Sequence, residues 1–273
     1  MKARRDGWLG VLHGESVACY FTKPSTRTRV SVEAAVHRLG ALPIMLRPDE
    51  LQLGRGEPIS DTARVLASYC DAIVIRTFAQ SDVDEVAAAS SVPVINALTD
   101  DHHPCQALAD LLTLREAFGR LEGLRLAYVG DGNNVARSLA VLGTRAGLEV
   151  RIAAPRGLQL TEAHGAQLTD DPTVAANGAD ALYTDVWVSM GDDEATAAER
   201  REALAPYRLD DALLDRGAPG AIALHCLPAH PGEEITDAVL YGDRQRIWDQ
   251  AENRRHAQKA LLELLVCSDR TMG

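Results

Sequence analysis

Aromatic residues are scarce, at 4% of 273 positions, which excludes a stacking platform for nucleobases. Cysteine is sparse as well. The five present (Cys19, Cys70, Cys105, Cys226 and Cys267) are odd in number, far apart and without a C-x-x-C pair. That excludes a disulfide framework and predicts a reducing, cytoplasmic setting. No apolar run approaches the length of a membrane span, and no apolar core of a secretory signal follows the basic start. An excess of positive charge is also missing. The formal net charge of −11 argues against partnership with nucleic acid or an anionic membrane. What remains is an ordinary globular composition, 46% hydrophobic and 25% charged, long enough for two domains.

Short apolar runs alternate with amphipathic stretches from end to end. Strands are expected at 17–21, 42–46, 72–76, 93–96, 124–129, 149–153, 181–185, 221–225 and 246–248. Helices are expected at 27–39, 60–70, 82–89, 105–118, 134–146, 193–204, 209–215, 235–241 and 251–266. Buried strands alternating with helices predict an α/β protein built on parallel sheets with covered faces. The two glycines in Phe118-Gly119-Arg120-Leu121-Glu122-Gly123 mark a domain boundary. Residues 156–180 are loop-rich and poorly patterned.

Ser25-Thr26-Arg27-Thr28-Arg29 stands between the first strand and the first helix. Hydroxyls, two guanidinium groups and the orphan amides of a helix start converge there, which makes an anion trap suited to phosphate. A lone Ser/Thr before a helix is more often only a cap; two Arg and two Thr in five residues outweigh that reading. Arg76 closes a strand, where ligands of open α/β sheets gather. His103-Pro104-Cys105-Gln106 opens a helix, with His103 and Gln106 able to serve a carbonyl oxygen and an amide; a capping or solvated histidine pair is an equal alternative. His102, His103 and Cys105 lack the second cluster that a metal site needs, and no metal is expected.

Gly130-Asp131-Gly132-Asn133-Asn134-Val135 is a weak match to a dinucleotide fingerprint. Val135 holds the third glycine position, and no acidic residue ends the next strand. The two Asn suit a polar ligand instead. Asp185, before Val186-Trp187-Val188-Ser189-Met190-Gly191, is placed to hold a substrate cation or only to cap a helix. Cys226, in His225-Cys226-Leu227-Pro228, sits at a strand's carboxyl edge and looks placed at a ligand, without an identifiable triad for nucleophilic catalysis.

Together these segments resemble the aspartate/ornithine carbamoyltransferase family, and within it the ornithine-using branch. The similarity runs from about Val17 to Leu265. It also includes Gln52-Leu53-Gly54 through Glu57, Asp61 to Leu66, and Ala251-Glu252-Asn253-Arg254. The resemblance implies two α/β domains with the active site in the cleft between them. These are a carbamoyl phosphate domain (1–119), an ornithine domain (120–250) and a C-terminal helix (251–273) returning to the first. It implies that Ser25, Thr26, Arg27 and Thr28 hold the phosphate, and that Arg76, His103, Gln106 and Arg254 bind carbamoyl and phosphate oxygens. Gln52 would reach a neighbouring subunit's site. Asn134, Asp185, Ser189 and Met190 would bind ornithine, while Cys226 and Leu227 close over the reacting amine and carbonyl.

The implied reaction gives citrulline and phosphate, with Arg76, His103, Asp185 and Cys226 at its centre, no cofactor, and a homotrimer or a multiple of it as the assembly. Two departures accompany the resemblance. Only about sixteen residues precede Val17, where the family carries an additional helix, and Arg156 to Asp180 is short. The apolar face of Ala257, Leu261, Leu262, Leu264 and Leu265 is therefore expected to lack part of its bed. Two alternatives stay open: a carbamoyltransferase for another amine, and a weakly active paralogue serving as a binding or assembly subunit.

Overall fold

A computed structural model describes residues 10–23, 25–47, 56–188 and 194–269. The chain divides into two compact units, Met1–Cys105 with Arg254–Gly273, and Gln106–Asn253. Gln52, Ser189 and Met190 lie outside the described residues.

In the first unit, β1 (Ser16–Phe21), β2 (Leu42–Leu46), β3 (Ala72–Arg76) and β4 (Val94–Leu98) form a parallel sheet in the order β2-β1-β3-β4. Helices α1 (Thr26–Leu39), α2 (Ile59–Tyr69) and α3 (Gln80–Ala89) connect them. Consecutive residues Val17, Ala18 and Cys19 are all fully buried, so both faces of β1 are covered. This is why the strands read as unbroken apolar runs.

In the second unit, β5 (Arg125–Val129), β6 (Glu149–Ala153), β7 (Gln167–Thr169), β8 (Ala181–Thr184) and β9 (Ile222–His225) form a parallel sheet in the order β7-β6-β5-β8-β9. Its helices are α4 (Pro104–Phe118), α5 (Asn134–Arg145), α6 (Pro172–Ala176), α7 (Glu194–Leu204), α8 (Asp211–Leu214) and α9 (Asp237–Leu240). The last helix, α10 (Ile247–Asp269), gives its residues to Asn253 to this unit and those from Arg254 to the first.

Each sheet reverses its winding once, between β1 and β3 and between β5 and β8. The carboxyl ends flanking such a reversal leave a crevice that ligands of open α/β sheets use. Phe21 and Arg76 are register partners at the first of these ends. Gly130 and Asp185 directly follow the strands at the second.

Two expectations need correction. Residues 246–248 do not form a strand: Ile247 and Trp248 open α10, where the Gln245 side-chain oxygen accepts from the Ile247 N–H at 2.8 Å and starts the helix. The stretch 156–180 is loop-rich as expected, with the short β7 and α6 inside it. On α10 Leu262 and Val266, four apart, are buried in one cluster with Leu12, Val32 and Val36, and Leu261 and Leu265 pack against it as expected; Leu264 is 63% exposed because it points nearly half a turn away from both buried residues.

Candidate active site

Ser25 is the N-cap of α1. Its extended backbone turns the chain out of β1, and its hydroxyl accepts from the Thr28 N–H at 3.2 Å. The capping reading is therefore true, and the anion trap is built on top of it. Thr28 is buried, while Thr26 and Arg27 are exposed at the helix mouth. Arg254 is buried and donates through Nη2 to Thr28 Oγ1 at 2.8 Å. Its Nη1 donates to His103 Nε2 at 3.4 Å. Since arginine only donates, this contact fixes His103 as the Nδ1–H tautomer.

Burial holds the His103 imidazole well below its ordinary range, with the charges of Arg254, Arg76 and Arg27 adding to the depression. A neutral, buried histidine thus stands among three guanidinium groups at the first switch point. Desolvated like charges are costly unless a counter-charge joins them. Such a cluster is suited to an anion.

At the second switch point the Asn133 side chain caps α5, accepting from Val135 and Ala136 N–H at 2.9 and 3.1 Å. Its amide nitrogen donates to Asp185 Oδ2 at 3.0 Å. Asn134, the next residue, opens α5. Gly132 cannot carry a side chain: a Cβ there would lie 2.5 Å from the Leu158 carbonyl oxygen and 2.7 Å from Leu160 N. The glycine serves this close backbone approach rather than a pyrophosphate. Asp185 is buried, and desolvation raises its pKa to about 6, against the lowering effects of His225, the Val186 amide and Asn133.

The turn after β9 is held from behind. The Leu227 N–H donates to His225 Nδ1 at 2.8 Å, and His225 Nε2–H donates to Glu234 Oε1 at 3.1 Å. Leu227 sits at φ 61°, a left-handed conformation uncommon for a branched residue, and this brace offsets its cost. The Gln250 side chain continues the chain inward: its oxygen accepts from His225 N at 3.0 Å, and its nitrogen donates to Asp110 Oδ1 at 2.6 Å. Gln106 donates to the same Asp110 oxygen at 2.8 Å and belongs to the second unit. Cys226 is half-buried beside this brace.

The structure thus gathers Ser25, Arg27, Thr28, Arg76, His103 and Arg254 in one unit. It gathers Gln106, Asn134, Asp185, Cys226 and Leu227 in the other. Sequence reasoning did not place Asn133 against Asp185, and it missed Asp110, Glu234 and Gln250 altogether. Their partners are distant in sequence or lie in an irregular turn, so no periodicity or motif marks them. Among the described residues, His230, Glu233 and Glu234 form one group with metal-ligand atoms within 4.8 Å of one another. Its carboxylates are engaged, Glu233 by Arg201 and Glu234 by His225.

Comparison with known proteins gives these clusters a family. Residues 1–116 match the model for the aspartate/ornithine carbamoyltransferase carbamoyl-P binding domain, and 122–265 match that for the Asp/Orn binding domain. An ornithine carbamoyltransferase of Acidothermus cellulolyticus is 56% identical over 92% of this chain and 84% of its own length. One from Gloeobacter violaceus is 53% identical over 96% and 88%. The structure of ornithine carbamoyltransferase from Pyrococcus furiosus superposes with a TM-score of 0.90 at 47% identity, covering 94% of this chain and 86% of that one. The chain belongs to the aspartate/ornithine carbamoyltransferase family.

Proposed function

We propose that the protein transfers the carbamoyl group of carbamoyl phosphate to the δ-amine of L-ornithine, giving L-citrulline and phosphate in arginine metabolism. The observation that carries this reading is the three-guanidinium cluster around neutral His103, a charge arrangement that calls for a phosphate dianion. Ser25, Thr26, Arg27 and Thr28 hold the phosphate at the start of α1, joined by Arg76 and Arg254. Gln52 belongs to this set from a neighbouring subunit. His103, as Nδ1–H, donates to the carbonyl oxygen, and Gln106 serves the carbamoyl amide. Asp185 answers the charge of ornithine, with Asn134, Ser189 and Met190 completing that site. Cys226 and Leu227 lie over the reacting amine and carbonyl.

In the reaction the neutral amine forms the C–N bond and the C–O bond to phosphate breaks. The leaving phosphate accepts the proton the amine gives up. Catalysis then consists of positioning together with stabilisation of charge on the carbonyl and phosphate oxygens. The working assembly is a homotrimer or a multiple of it. The first unit's exposed Val30, Leu42, Tyr69 and Phe78, each more than half exposed, support burial against other subunits. All five cysteines are free, as a cytoplasmic location requires. Among the described residues no helix is long and apolar enough to cross a membrane.

Acceptor competition tests the reading. Purified protein given carbamoyl phosphate and an equimolar mixture of ornithine, lysine, putrescine and aspartate should form citrulline as the dominant product by mass spectrometry. A dominant product from another acceptor would overturn the assignment of ornithine.

The same reading makes Cys226 an orienting group rather than a nucleophile. Cys226→Ser keeps a small polar group in place and is expected to retain measurable turnover with a changed KM for ornithine. Mass spectrometry of protein incubated with carbamoyl phosphate alone should show no added mass at Cys226; a carbamoyl-cysteine adduct there would contradict the role.

A further inference from the structure

The loop that carries Asp185 is not held by its own strand alone. From α7, Arg200 donates through Nε to the Trp187 carbonyl oxygen at 2.8 Å, and its Nη2 donates to Asp131 Oδ2. Asp131 follows β5, and its carbonyl accepts from Asn133 N at 2.8 Å. Asn133 in turn holds Asp185, two residues before Trp187. The contacts close a ring, Asp131 to Asn133 to Asp185 to Trp187 to Arg200 and back, around the crevice between β5 and β8. We propose that Arg200 is a positioning residue for the amino-acid substrate: its forked guanidinium ties the two strand-end loops into one register and so sets where the Asp185 carboxylate stands. The inference rests on the reading of Asp185 as the ornithine contact.

The chemistry favours arginine at this position. One planar group must meet a carbonyl and a carboxylate at the same time, in fixed directions. The Asp131 side chain is 10% exposed and Trp187 is buried, so neither has ready access to water as a substitute partner. The next residue, Arg201, goes elsewhere, pairing with Glu233 at 3.1 Å. Lysine would keep the charge beside Asp131 but lose the fork, which separates neutralisation from positioning.

The test compares wild type, Arg200→Lys and the double variant Arg200→Gln/Asp131→Asn, which removes both charges and guards against loss of fold from an unpaired Asp131. Both variants should keep the wild-type melting temperature within a few degrees. Each should show KM for ornithine raised about 10- to 100-fold, the range that small misplacements of a binding group produce. KM for carbamoyl phosphate should stay within about twofold, since every residue of the ring belongs to the second unit. Equal changes in both KM values, or none in a folded Arg200→Lys, would overturn the proposal.

Hydrogen exchange of the amides at 185–188 supplies a readout that does not depend on the acceptor. It should accelerate in Arg200→Lys while β5 and β8 remain protected. Unaltered exchange there would refute the positioning role even with an active enzyme. A wild type inactive toward ornithine would refute only the substrate reading.

Discussion

Arg254→Ala is expected to lower kcat/KM for carbamoyl phosphate about a thousandfold, on the order of 4 kcal/mol of transition-state binding. That is the upper range for losing one preorganised charged donor in a water-excluded site. The residue is 3% exposed and touches both Thr28 and His103, so its loss removes a desolvated donor at the centre of the cluster. The free protein should not lose comparable stability. Its hydrogen bonds to Thr28 and His103 are worth about 1 kcal/mol each, well under the loss expected in transition-state binding. Thermal shift with inorganic phosphate should therefore separate the proteins, wild type being stabilised and the variant hardly at all. Exposed Arg27 stands where water screens its charge, so Arg27→Ala should cost less, roughly 2–3 kcal/mol. The His103 imidazole, relieved of its largest charged neighbour, should titrate higher in Arg254→Ala than in wild type by NMR. Equal kinetics for wild type and Arg254→Ala at subsaturating carbamoyl phosphate would remove the anion site from the account.

Asp185→Asn is expected to trade function for stability. Burial raises this carboxyl from 3.8 to about 6 in the folded protein, so its charged form is disfavoured by folding. The sign follows directly. The group imposes no penalty below pH 4, and stability is lost as pH rises through about 6. The cost reaches roughly 3 kcal/mol above that, at 1.36 kcal/mol for each tenfold. The Asn variant, isosteric and able to accept from Asn133, should unfold at higher denaturant than ligand-free wild type at pH 8, by about 1–3 kcal/mol, and match it near pH 4. Its kcat/KM for ornithine should fall by about 10²- to 10⁴-fold, as expected for removing one partner of a buried ion pair. In wild type the KM for ornithine should rise as pH drops below 6, when the carboxylate becomes protonated. A pH-independent KM between 5 and 8 would show that Asp185 does not meet the cation.

The candidate site was legible where chemistry sits at strand ends. S-T-R-T-R, Arg76, G-D-G-N-N, Asp185 and H-C-L-P each follow a buried apolar run, and parallel sheets bring such ends to one edge. What the sequence concealed is how those ends are braced. Asp110 meets Gln250 across 140 residues, and Arg200 meets Asp131 across 69, with no local periodicity to announce either pair. Glu234 lies in an irregular turn whose two prolines and one glycine suggest only a loop. The short edge strand β7, Gln167-Leu168-Thr169, carries too few residues to show alternation. Arg246-Ile247-Trp248 has the β-branched and aromatic character of a strand, and the cap from Gln245 overrides it. On α10 Leu264 stands at the edge of the apolar arc that Leu261, Leu262 and Leu265 fill, so sequence alone placed it on a face it does not share.

The account stands most directly on a single-turnover balance with [14C]carbamoyl phosphate and L-ornithine, run on wild type and on the double variant Arg254→Ala/Asp185→Asn. Wild type should release phosphate and labelled citrulline in equal amounts, and the double variant should release neither above the uncatalysed rate. Phosphate released without citrulline by wild type, or citrulline formed undiminished by the double variant, would contradict it.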